Sequence, residues 1–99
     1  MAIAIDRSAP GTMYIVGRQA LGNDRDQQWR IEKRRILDGS LIKDFGNEGV
    51  MTYNPGDRSE GAEGVAVSDE FLYVVGDDLS KQQPNGDVGG MQQLLKIKK

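Results

Sequence analysis

The chain is 99 residues long, carries 13 basic and 15 acidic side chains for a net charge of −2, and is only 37% hydrophobic. One domain is the most this length holds, and the near-balanced charge argues against nucleic acid or an anionic membrane as partner. With no cysteine and no histidine, disulfides, thiolate metal sites, zinc chemistry and histidine-dependent catalysis are excluded.

The patterning has a period of two almost throughout, which predicts strands. Residues 2–6 form the first, with Ala2 and Ala4 on one face and Ile3 and Ile5 on the other. Pro10-Gly11 punctuates a turn. Residues 13–18 form a second strand rich in β-branched and aromatic residues. The polar stretch 21–27 reads as a loop, and residues 28–37 as a third strand. Asp38-Gly39 then predicts a type I′ hairpin turn, which needs positive φ, leading into a fourth strand at 40–45. Residues 47–62 cross to a second set of strands at about 63–68, 71–77 and 92–98, with an extended piece at 50–53 and a turn at Asn54-Pro55-Gly56-Asp57. Residues 71–76 are apolar on both faces, the pattern of a strand covered on both sides. Composition alone would allow a helix at 94–99. No apolar run approaches the roughly 18 residues of a membrane span. Without the basic segment and long apolar core of a signal peptide, the chain as written reads as cytoplasmic.

The two sets share text. Tyr14-Ile15-Val16-Gly17 returns as Tyr73-Val74-Val75-Gly76, and Ile3-Ala4-Ile5-Asp6 as Val65-Ala66-Val67-Ser68. Trp29-Arg30-Ile31-Glu32-Lys33 is matched to Leu95-Lys96-Ile97-Lys98-Lys99. Three matches in one order predict a supersecondary unit copied once: a first repeat at 1–46, a linker at 47–62 and a truncated second repeat at 63–99. The repeat favours a strand over a helix at the C-terminal end.

A small-apolar strand, a Tyr-x-Val-Gly strand, a charged strand, an Asp-Gly turn and the Phe45-Gly46-Asn47-Glu48-Gly49 linker together resemble a β-propeller blade. The segment from Leu37-Asp38-Gly39-Ser40 through Phe45-Gly46-Asn47-Glu48-Gly49-Val50 is similar to the delta-sixty type of propeller repeat, whose blades are laid out like NHL repeats. The resemblance implies an all-β fold of two four-stranded blade-like sheets, the second lacking its outermost strand. It also implies relatives that are often extracellular. Such blades are scaffolds for varied binding roles, so it carries no reaction with it.

Several residues invite a chemical reading. Asp24, Asp26, Asp77, Asp78 and Asp87 are loop oxygen donors of the kind calcium takes, but they follow no Asp-x-Asp-x-Asp-Gly spacing and read as solvated charge. Trp29 with Arg30 is the candidate ligand site, an indole for stacking and a guanidinium beside it, set against packing between blades. Lys33-Arg34-Arg35, with Lys96, Lys98 and Lys99, suggests a phosphate track, set against a cross-strand pair of Arg34 with Glu32. Glu60 with Glu63, and Asp69 with Glu70, are the paired carboxylates, placed at turn edges where such groups are solvated. Gly61 and Gly64 suggest close backbone approach. The sequence therefore points to a non-enzymatic binding or structural module without catalytic residues, metal or cofactor. Its expected partners are further copies of itself, as a dimer, trimer or tetramer with the trimer preferred, and a protein or carbohydrate ligand. A lectin-like ring is the alternative.

Overall fold

In the computed structural model, residues 1–20, 27–54, 61–78 and 91–99 are described. They form seven strands and no helix: β1 (Ala2–Asp6), β2 (Thr12–Ala20), β3 (Gln27–Arg35), β4 (Val50–Tyr53), β5 (Ala62–Val67), β6 (Phe71–Asp78) and β7 (Met91–Lys98). All pairings are antiparallel. The first sheet runs β1-β2-β3-β4 and the second β5-β6-β7, each strand beside its sequence neighbour. Residues 94–98 belong to a strand, not a helix, and Leu95 and Ile97 pack on the core at alternate positions.

Turn chemistry sets the first hairpin. Asp6 Oδ1 accepts from both the Ser8 backbone N–H and Oγ, at 3.0 and 2.7 Å. The Ala9-Pro10-Gly11-Thr12 turn then closes with a Thr12 N–H to Ala9 O bond of 3.1 Å, Gly11 at φ 85°. Proline then positive-φ glycine is the type II arrangement.

After β3 the chain departs from the sequence reading. Gly39 has positive φ, at 74°, but Asp38 does not, so Asp38-Gly39 is not the two-residue type I′ turn expected. Instead Gly39 N–H reaches back to Arg35 O, and Arg35 N–H to Ser40 O. Nor is 40–45 a strand. Only Leu41 bridges to Arg34, with Ile42 N–H bonded to Lys33 O. The chain then loops out and returns at Gly49, whose carbonyl takes the Lys33 N–H, before Val50 pairs with Glu32. The turn with both central residues at positive φ is Glu48-Gly49, at 57° and 93°, closed by reciprocal bonds between Asn47 and Val50. That excursion drives Phe45 into the core, edge-on to Tyr14 at 5.5 Å.

Hydrogen-bond register also corrects the third sequence match. Tyr14 lies opposite Ala4 and Lys33, and Tyr73 opposite Ala66 and Lys96. Counted from these tyrosines, Ile31 corresponds to Leu94, not Ile97, and Trp29 to Gln92, not Leu95. Matching by apolar type alone slid β7 out of register with β3.

The sheets pack face to face, with β5 nearest β1 and β2. Tyr14, Val16, Trp29, Ile31 and Phe45 from the first sheet enclose a core with Ala62, Leu72 and Val74 from the second. Polar ties cross the gap, among them Lys99 Nζ to Asp6 Oδ2 at 2.7 Å and to Ser8 Oγ at 2.9 Å, Gln93 Nε2 to Tyr53 Oη at 2.7 Å, and Arg18 near Glu63 at 3.8 Å.

Candidate functional site

Trp29 and Arg30, adjacent in β3, necessarily point to opposite faces of the sheet. The Trp29 ring is fully enclosed, edge-on to Tyr53 at 5.4 Å. Its Cζ2 sits so close over Gly76 that a Cβ there would lie 2.9 Å away. No face of the indole is open to a sugar or a base. Arg30 lies on the outer face, where its Nε donates to Glu32 Oε2 at 2.6 Å and its guanidinium also reaches Gln19 Oε1 at 3.0 Å. The pair expected to share a ligand is not brought together.

The Glu32 carboxylate also receives Arg34 Nε at 2.8 Å, so the Arg34 pair forms along one strand and not across two. Hydrogen bonding from Arg34 holds Glu32 below its usual range; burial opposes this and the Arg30 bond adds to it. A carboxylate so clamped stays ionised and is a poor proton carrier at neutral pH. Arg30 and Glu32 border a shallow depression of about 380 Å³ on the outer face, floored by Ile15 and Gly17 beside Met1. The basic residues do not form one track. Lys33 is paired with Asp44 at 2.8 Å, Lys96 sits 4.2 Å over the Phe71 ring and Lys99 is bound to Asp6.

A second hollow of about 370 Å³ lies between the β1–β2 and β5–β6 turns, lined by Asp6, Ser8, Ser68 and Asp69. Asp6 is buried and spoken for by Ser8 and Lys99. Sequence patterning had placed Lys99 in a phosphate track and had not offered Asp6 as a site residue, although Asp6-x-Ser8 is a turn-forming spacing. Among the described residues no three acidic groups gather as a metal site. Asp24, Asp26, Asp87 and Glu60 lie outside the described residues. Gly61 and Gly64 are indeed close-approach positions, but to the side chains of Arg18 and Val75.

Among the described residues two sheet faces are left open. On the outside of the first sheet Ile3 and Ile5 are 55% and 61% exposed, beside Met13 and Ile15. On the outside of the second, Val75 and Leu94 are 39% and 60% exposed, beside Phe71 and Tyr73, whose rings lie 6.4 Å apart. Residues 71–76, apolar on both faces, are thus covered on one face only. Isolated apolar surface residues need no explanation, whereas contiguous ones mark interaction sites. The chain matches no family model, no curated protein and no solved structure.

Proposed function

We propose that the chain is a non-enzymatic binding or structural module, a two-blade unit of a β-propeller-type ring completed by further copies of itself. One observation carries this reading. Tyr14 and Tyr73 correspond by register, yet Tyr14 faces the opposing sheet and Tyr73 faces away, where Leu72 and Val74 take the inward positions. Two sheets related by a two-fold axis would bury the same face of each. Sheets stacked head to tail, as blades are, bury opposite faces, and each pair leaves one face of each kind uncovered. The nearness of β5 to β1 and β2 fits sheets converging at their first strands around an axis.

Propellers hold about 4–8 blades, so two, three or four copies would close a ring, and three give a comfortable six. The test is the solution mass at micromolar concentration. A trimer, near three times the 10.9 kDa chain mass, is expected. A monomer would replace the ring with a seven-stranded sandwich.

A further inference from the structure

Resting on that ring reading, we infer that one heterologous interface joins the chains: the Tyr73, Val75 and Leu94 face of one chain seats on the Ile3, Ile5 and Ile15 face of the next. The packing already present inside the chain is the template. There, Tyr14, Val16 and Ile31 of the first sheet meet Val65, Val67, Leu72 and Val74 of the second. By hydrogen-bond register Tyr73, Val75 and Leu94 stand where Tyr14, Val16 and Ile31 stand. In the same way Ile3, Ile5, Met13 and Ile15 stand where Val65, Val67, Leu72 and Val74 stand. The uncovered faces therefore repeat the two halves of a contact the molecule is known to make.

The glycines agree. Gly17 corresponds to Gly76. Gly76 takes the edge of Trp29, whereas a Cβ at Gly17 would meet nothing nearer than Met1 at 4.0 Å, an open seat on the outer face. The match fails at β7, where Gln92 stands in the place of Trp29, and at β3, where Glu32 and Arg34 replace Leu95 and Ile97. This puts the charged triad at the rim of the contact and leaves its centre on β1 and β2. A second copy is the occupant because each face complements the other face of the same chain. A face built for an unrelated partner has no reason to follow that register.

The experiment uses Ile3→Glu and Leu94→Glu, both at positions more than half exposed and so tolerant of charge in the single chain. A charge at the centre of an apolar contact should raise the dissociation constant by roughly tenfold or more. Each variant alone should sediment as a monomer. Their equimolar mixture should give dimers that go no further, since one intact interface remains. A Leu94→Glu protein that still dimerises alone would mean like faces pair. Variants that both keep the parent mass would place the contact elsewhere. Either result overturns this inference while leaving a ring of copies standing; a monomeric parent ends both. Trp29 emission reports folding, and Ile5→Glu with Val75→Lys replaces either variant that fails to fold.

Discussion

Lys99 Nζ donates to Asp6 Oδ2 at 2.7 Å, with side chains only 12% and 3% exposed, so the end of β7 is tied to the end of β1 across the two sheets. Burial raises the Asp6 carboxyl, but hydrogen bonds from Lys99 and Ser8 together outweigh it and hold the group below its ordinary 3.8. A carboxylate depressed by folding stabilises the fold above its unfolded value. That contribution is lost as pH falls through the folded one.

Lys99→Ala should therefore cost roughly 1–3 kcal/mol near neutral pH, because a buried carboxylate loses its charged donor. The difference from the parent should shrink as pH falls through the folded value of Asp6, which lies below the ordinary 3.8, until the group is protonated in both proteins. Urea melts across that range check it. A gap that stays constant into acid would mean that Lys99 acts through something other than Asp6.

The turn glycines should rank by what surrounds them. Gly39 has φ 74° with nothing within 4 Å of a Cβ, so Gly39→Val should pay backbone strain alone, about 1–2 kcal/mol. Gly46, at φ 56°, would also press a Cβ against the Val50 carbonyl, and Gly46→Ala should cost more. Thermal melts giving the reverse order would contradict the observed path of the β3–β4 connection.

Trp29 is the only tryptophan and is closed from solvent. Its emission should be blue-shifted and resist acrylamide, and no glycan should perturb it by stacking. Gly76→Ala should destabilise strongly, since the new methyl would collide with the Gly61 carbonyl as well as with Trp29. Trp29→Phe should not rescue it, because the nearer obstacle is backbone. Rescue would show that the indole alone sets the spacing.

The all-β fold was legible because β1, β2 and β6 are short runs rich in β-branched and aromatic residues between turn signals; which face is buried was not, since Ile3 and Ile5 of β1 point outward and Ala2 inward. The fourth strand was not. Leu41, Ile42 and Phe45 suggested a strand at 40–45, but Phe45 enters the core from a loop, and the pairing strand is only Val50–Tyr53. Asp38-Gly39 drew the type I′ expectation because aspartate tolerates positive φ well. The chain places that turn at Glu48-Gly49, whose first residue gives no such signal. The Asp6–Lys99 contact joins residues from opposite ends of the sequence, which no local pattern marks. Trp29 and Arg30 looked like a site through adjacency, yet adjacency in a strand sends two side chains apart.

Tyr14 is fully buried against Phe45, and burial, with a smaller push from the carboxylates of Asp6 and Asp44, raises its phenol from 10.0 to about 12. The neutral phenol is the form the fold prefers. Its contribution is whole below the unfolded value and disappears as pH rises through the folded one, a displacement corresponding to roughly 2–3 kcal/mol. Tyr14→Phe keeps the ring and removes the titration. Any other group that titrates in alkali does so in both proteins, so the informative quantity is the difference between parent and variant. Denaturant melts between about pH 9 and 11.5 should show the parent losing stability faster than Tyr14→Phe. Parallel decline would mean that the Tyr14 hydroxyl ionises at its ordinary value, and the tight packing of Tyr14 against Phe45 would have to be abandoned.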